Sequence, residues 1–295
     1  MMNFFNKSEI RELVKKLNFR AKKSFGQNFL VDRNVCQMIV SEASQNFSGG
    51  VLEVGSGLGT LSFFLAQKFK KVVSIEIDKY LFEFTSKNFE NIENIEFIND
   101  DILDVDIQNL VKEKFQNCEN IVVCSNLPYC ITTPVLTKFL ESRLFSKITV
   151  MVQKEAADRI LASPGTRSCG AISSFVRYYS NPKFNFKVSN KCFFPSPKVE
   201  SSVISFDILN KYNISDEQKL FKIIKSAFNE RRKNILNSIS SGMKTNKEKI
   251  SEILQNCNIN KDLRAENLTL ENFIEIYENL ICINKKSTET VLQIT

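Results

Sequence analysis

The chain has 295 residues, 43% of them apolar and 25% charged, which suffices for a large globular domain with a smaller one attached. It carries a net charge of +7, eight cysteines and no histidine. Without histidine, and with no two cysteines at finger-like spacing, zinc sites and mechanisms built on a histidine base are excluded; no apolar run approaches the roughly 20 residues of a membrane helix.

The first 23 residues hold Lys7, Arg11, Lys15, Lys16, Arg20, Lys22 and Lys23 against only Glu9 and Glu12. Such a cluster suits a polyanion, nucleic acid before membrane, and equally a solvated lysine-rich surface. The segment is polar and lacks a signal-peptide core, so a cytoplasmic protein with free thiols is expected.

Short β-branched runs follow, alternating with stretches of helical spacing. "GVLEV" (50–54), "VVSIEI" (72–77), "IEFI" (95–98), "NIVVCS" (120–125) and "KITVMVQ" (147–153) predict strands. Leu61, Leu65 and Phe69, and less cleanly Leu81, Phe84 and Phe89, predict helices between them. The alternation predicts an α/β fold, a Rossmann-like parallel sheet with helices on both faces. "KFNFKV" (183–188) and "SSVISFDI" (201–208) would add antiparallel edge strands. Beyond residue 209 the texture becomes helical. Ser215 with Gln218 has the form of a capping box, Leu220, Ile224, Phe228, Ile235 and Ile239 make an apolar stripe, and Lys222, Lys225, Asn229 and Arg232 fall on another face. The domains are therefore 1–209, catalytic, and 210–295, small and all-helical, with a frayed tail from "NKKSTETVLQIT".

"LEVGSGLGTLS" places Gly55, Gly57 and Gly59 between the first strand and a helix. A dinucleotide fingerprint needs glycine at its first, third and sixth positions, and the sixth from Gly55 is Thr60; a phosphate loop needs a Gly-Lys-Ser/Thr ending that is missing. The spacing suits a nucleoside without phosphates. Glu76 is placed to accept from both ribose hydroxyls and Asp101 from an adenine amino group, which points to S-adenosylmethionine as cofactor. Each acid alone is equally well read as a solvated loop carboxylate.

The fourth strand stops at "SNLPYC". Methylation of an exocyclic adenine amine calls for such a group, because the N6 lone pair is delocalised into the ring. The side-chain oxygen of Asn126 and the carbonyl of Leu127 can accept its two N–H bonds, Pro128 stiffens the turn and Tyr129 can stack on the base. A duplex base must be flipped out to reach such a pocket. Phe193, in "CFFPSPKVE", is a candidate second wall or an ordinary core residue. Cys130 would suit C5-pyrimidine chemistry, but no cation near it in sequence lowers its pKa.

Taken together, "KKSFGQNFLVD" (22–32), "LEVGSGLGTLS" (52–62), "VVSIEID" (72–78), "NDDILDVD" (99–106), "SNLPYCITTP" (125–134), "MVQKEAADRILASPGT" (151–166), "FFPSPKVESSV" (193–203) and "AFNERRKNILNSI" (227–239) resemble the rRNA adenine N6,N6-dimethyltransferase family associated with kasugamycin sensitivity. The resemblance implies a class I S-adenosylmethionine-dependent methyltransferase, monomeric and metal-free. Gln27, Asn28 and Leu30 would contact the cofactor, and Gly55 its methionine end. The substrate would be two adjacent adenosines of the 3′-terminal hairpin loop, helix 45, of 16S rRNA, dimethylated late in assembly of the 30S subunit. Lys22, Lys23, Arg231, Arg232 and Lys233 would meet the RNA. Cys130 replaces a frequent Asn, and Cys169-Gly170-Ala171 replaces Tyr-Gly-Arg, which places an RNA contact of that loop in doubt. Two readings compete: a resistance-type enzyme acting on one adenine of large-subunit rRNA, and a non-catalytic assembly factor keeping the fold.

Overall fold

A computed structural model of the chain describes residue 12 and residues 28–292, with side chains through residue 282. By contact density it divides into two compact units: the residues up to Ala157 with Tyr179–Leu209, and Asp158–Tyr178 with the residues from Asn210 onward.

The first unit is built on seven strands: β2 (Gly50–Val54), β3 (Lys71–Ile75), β4 (Ile95–Ile98), β5 (Ile121–Asn126), β6 (Lys147–Gln153), β7 (Ser180–Val188) and β9 (Ser201–Ile208). Their order is β4-β3-β2-β5-β6-β9-β7. The first five are parallel, and β9 enters antiparallel between β6 and β7. A separate ribbon pairs β1 (Phe29–Leu30) with β8 (Phe193–Phe194). The predicted strands at 50–54, 95–98, 147–153 and 201–208 carry the observed bounds.

Side chains alternate across each strand. Val51, Val122, Cys124 and Met151 share a face with Cys36 and Ile39 of α1 (Arg33–Ala43) and Leu61 and Leu65 of α2 (Thr60–Lys68), making one buried cluster. The opposite-facing Leu52, Val73, Val123, Ile148 and Val150 are equally inaccessible, so the sheet is covered on both sides. The helices α3 (Lys79–Asn88), α4 (Ile107–Lys114), α5 (Thr132–Ser142) and α6 (Lys154–Ile160) complete the crossovers. Asp32, Asp78 and Asp106 cap α1, α3 and α4 by accepting from backbone amides in the first turn.

The second unit holds most of α7 (Ala171–Tyr179), with α8 (Glu217–Asn229), α9 (Ile235–Met243), α10 (Lys247–Asn256) and α11 (Leu270–Leu292). The boundary expected at 209/210 therefore misses a segment. Residues 158–178 belong with the helices because α7 is amphipathic and its aromatic side has partners there. The ring of Phe175 lies 5.0 Å from that of Phe221, the ring of Tyr178 5.2 Å from it, and the Tyr178 hydroxyl donates to Glu217 at 2.9 Å.

Three smaller expectations change. The stripe from Leu220 to Ile239 is not one helix, because the chain turns at 230–234 and restarts on the Asn234 cap. Asp216, not Ser215, caps α8, since the Ser215 hydroxyl pairs with that of Tyr277. The tail continues helically to Leu292, having no glycine or proline to stop it. None of the eight cysteines is in a disulfide. Among the described residues no helix is long and apolar enough to cross a membrane, and no cluster could hold a metal ion.

Candidate active site at the carboxyl ends of the parallel strands

From β2 the chain steps outward to β3 and β4 on one side, then returns to β5 and β6 on the other. That reversal opens a crevice beyond the carboxyl ends of β2 and β5. A cavity fills it, lined among others by Gly55, Glu76, Asp101, Asn126 and Tyr129. Four successive strand ends thus converge as the sequence suggests.

The glycine loop has its shape because three residues adopt left-handed backbone: φ is +76° at Gly55, +56° at Gly57 and +82° at Gly59. A Cβ on Gly59 would also sit 2.6 Å from the ring of Phe89. The loop is tied to β3 by a carboxylate. Glu76 Oε2 accepts from the Gly57 amide at 2.9 Å and meets the Ser56 hydroxyl at 3.5 Å, while Oε1 accepts from the Asp78 amide at 3.0 Å. Burial raises the Glu76 pKa against the lowering effect of those amides. A carboxylate has about four acceptor sites, so Oε1 keeps one for a ligand hydroxyl, and Oε2 one that a ligand hydroxyl can take over from the long Ser56 contact. Asp101 uses Oδ1 on the Leu103 amide at 2.9 Å, leaving Oδ2 for a donor in the cavity.

Asn126 closes β5. Its Nδ2 donates to the Asn28 carbonyl at 3.3 Å. A carbonyl can only accept, so this contact turns the amide nitrogen toward Asn28 and the oxygen Oδ1 away from it. Leu127 follows, 1% exposed, its amide donating to the Met151 carbonyl at 3.1 Å. Pro128 stands near Gly55, 3.7 Å from where a Cβ there would lie. The Tyr129 hydroxyl pairs with that of Ser201 on β9 at 2.9 Å, and burial raises its pKa. Asn28 and Leu30 line the same cavity, and Cys130 is exposed at its edge.

Other expected residues fall elsewhere. Phe193 is 1% exposed and lies in the cluster with Leu30, Cys36 and Val203, outside the cavity lining. The reason is the β1–β8 ribbon: Phe193 stands opposite Leu30, and both are packed into the same core. Its neighbour Phe194 stays half-buried against Phe29, Val31, Leu58 and Leu81. Gln27, Lys22 and Lys23 lie outside the described residues. Arg231 and Lys233 are engaged. Arg231 Nη2 donates to the carbonyls of Arg167 at 2.7 Å and Cys169 at 3.0 Å, and Lys233 pairs with Glu230 at 2.8 Å. Arg232 is exposed. Lys233 also edges an all-polar groove with Asn237, Ser240, Ser241, Thr245 and Lys247.

Glu53, Ile77 and Ile102 are among the cavity residues that escape sequence reasoning. Glu53 is 1% exposed, and its Oε2 accepts from Ser62 and Ser74 hydroxyls, both at 2.6 Å. Burial lifts its pKa to about 7, opposed by those two hydroxyls. A signal for it exists: an acid on the core-facing side of an otherwise apolar strand, with serines at 62 and 74 to satisfy it. Ile77 is 45% exposed yet lines the cavity with the buried Ile102, so an isoleucine directly follows each of the two acids, Glu76 and Asp101, along the chain. An exposed isoleucine carries no such mark in sequence.

The profile of a family described as ribosomal RNA adenine dimethylase matches residues 18–281. The protein named ribosomal RNA small subunit methyltransferase A of Alkaliphilus oremlandii (strain OhILAs) is 42% identical over 274 residues, 92% of this chain and 95% of that one. The crystal structure of a dimethyladenosine transferase from Plasmodium falciparum superposes with a TM-score of 0.71 at 23% identity, over 86% of this chain and 96% of that chain. That of the 23S rRNA methyltransferase ErmE gives 0.66 at 22%, over 86% and 99%. The two structures establish the class I methyltransferase fold and do not by themselves choose a substrate.

Proposed function

The chain belongs to the ribosomal RNA adenine dimethylase family, and from that premise we propose that it dimethylates N6 of two adjacent adenosines in the helix 45 loop of 16S rRNA, within the maturing 30S subunit. The small-subunit target is favoured over a large-subunit one by the name and the 42% identity of the Alkaliphilus relative.

The residues present fit S-adenosylmethionine as the cofactor. Glu76 keeps an open acceptor site on Oε1 for a ribose hydroxyl, and the second hydroxyl of the diol can replace Ser56 on Oε2. Ile77 and Ile102 offer apolar surface for an adenine, and Asp101 a free oxygen for its amino group. Left-handed Gly55 and Gly57 let a ligand approach backbone that a side chain would block. Bound there, S-adenosylmethionine supplies a methyl group made electrophilic by its sulfonium.

The chain's own part is to prepare the amine. Asn126 Oδ1 and the Leu127 carbonyl accept the two N6–H bonds and draw the nitrogen toward tetrahedral geometry, so that its lone pair leaves the ring. After the first transfer one N–H remains, and one acceptor suffices to hold it for the second. Tyr129, tethered through Ser201, offers its ring to the base. No histidine base is required, in keeping with a chain that has none. The amide orientation set by the Asn28 carbonyl is the observation that carries this reading.

Primer-extension mapping after incubation with S-adenosylmethionine tests it. Stops at two adjacent adenosines near the 3′ end of 16S rRNA in 30S particles are expected. Methylation of naked 23S rRNA instead would select the resistance-type alternative, and no methylation of either the non-catalytic one.

A further inference from the structure

The segment 163–168, "SPGTRS", is six consecutive exposed residues in the helical unit. It holds three hydroxyls, one cation (Arg167) and no acid. Its backbone is held from inside the same unit at Gly165 and Arg167, and just beyond its end at Cys169. The Gly165 amide donates to the Glu266 carbonyl at 2.6 Å, and Arg231 Nη2 places one N–H on the Arg167 carbonyl and one on that of Cys169. Glu266 Oε2 stands 3.8 Å from the same Nη2. Cys169 is buried, and beyond it the Ser173 hydroxyl donates to the Gly170 carbonyl at 2.7 Å, closing the loop onto α7.

Arg231 is half exposed and resembles a free surface cation until its partners are counted. Both hydrogens of Nη2 are directed at peptide carbonyls, so this side of the guanidinium is spent on backbone. Charge-assisted donation to two carbonyls two residues apart fixes the curvature of the turn between them. That turn carries the Arg167 side chain.

We propose that Arg231 is a positioning residue: it holds the 163–168 loop in a shape that presents Arg167 and the loop hydroxyls to the phosphodiester backbone of the substrate RNA. The inference deepens the reading of this chain as an rRNA methyltransferase and rests on it. Arg167, not Arg231, is then the phosphate contact.

A double-mutant cycle on RNA binding, measured as a function of salt with 30S particles, decides between the two roles. Arg167→Ala lowers the slope of log affinity against log salt by just under one unit, on the order of one phosphate contact. Arg231→Ala lowers it by the same amount, and the double variant by no more. Slopes that add to nearly two units place Arg231 on a phosphate itself and overturn the proposal, as does an unchanged slope in Arg167→Ala. Hydrogen exchange supplies the readout that loss of a surface charge alone does not move. In Arg231→Ala the amides of Gly165 and Cys169 exchange faster by on the order of tenfold, while those within α8 keep their protection; unaltered loop exchange refutes the clamp. Arg231→Lys guards against a folding failure. It retains the charge and loses the planar fork, so the clamp predicts the alanine phenotype and a direct contact the wild-type slope. Methyl incorporation into the same particles by the unaltered chain reports separately on the substrate reading.

Discussion

In the α/β unit Glu53 and Glu76 are 1% and 5% exposed, and each is held by two or more donors from loop amides or core serines. In the helical unit the notable charges, Arg231, Arg232 and Lys233, all lie at the surface. Under the proposed function the contrast fits two different tasks. Transfer to a weakly nucleophilic amine needs acceptors placed to a fraction of an ångström in a water-poor crevice. Binding a polyanion would draw on positive charge at the surface, which exposed side chains such as Arg167 and Arg232 would supply. Substitutions in the first unit should therefore change rate, ligand affinity and stability, and those in the second the dependence of binding on salt.

The largest effect expected is a pH dependence of stability seated in Glu53. Its carboxyl holds its proton to about pH 7 in the fold, against an ordinary value of 4.5. The native state therefore binds more protons than the unfolded chain between those values. The stabilisation is complete below 4.5 and is lost as pH rises through 7, a change of roughly 3 kcal/mol at most. Glu53→Gln should flatten that decline and be the more stable form at pH 8, as read by urea unfolding at pH 5 and pH 8. A parallel pH dependence in both proteins would remove Glu53 from the account.

Next comes Asn126→Ala. Turnover should fall on the order of a hundredfold, comparable to deleting one preorganised polar contact. Calorimetry should find cofactor binding largely retained. Unchanged turnover would show that the amide does not touch the reacting amine, and the boundary between the two tasks would need redrawing.

Gly59→Ala probes the loop that shapes the crevice. The residue has φ +82°, and a Cβ would meet the Phe89 ring at 2.6 Å. A loss of roughly 2 kcal/mol is expected from strain and overlap together. Thermal unfolding with and without cofactor should show both a lower midpoint and weaker ligand stabilisation.

Arg232→Ala should have the mildest consequence. Its side chain is exposed, so stability should stay put while the salt slope of particle binding drops by just under one unit, the value for one phosphate. A change in turnover at saturating RNA would break the contrast between the units.

Much of the fold and the crevice is legible in the sequence. The strands at 50–54 and 147–153 read with their observed bounds because β-branched runs closed by glycine or preceding a helix leave little choice. The glycine loop, Glu76, Asp101 and Asn126 come out together because each sits at or within a few residues of a strand end, and in a parallel sheet those ends share one edge. What the sequence hides depends on partners far along the chain. Phe193 reads equally as a wall for the base or as a core residue, and pairing with residues 29–30 decides for the core. Arg231 reads as one of three equivalent cations, and two carbonyls more than sixty residues upstream make it different. The segment 158–178 follows β6 of the α/β sheet and yet packs with helices from beyond residue 210.

By itself, then, the sequence determined the order of elements, the sheet type and which side chains arrive at the strand ends, because backbone periodicity and turn chemistry are local. Only the tertiary structure decided which way the Asn126 amide faces, that burial raises the Glu53 pKa and that Arg231 grips backbone. Each of those depends on groups brought near by folding, and hydrogen-bond direction and desolvation act only at contact distance.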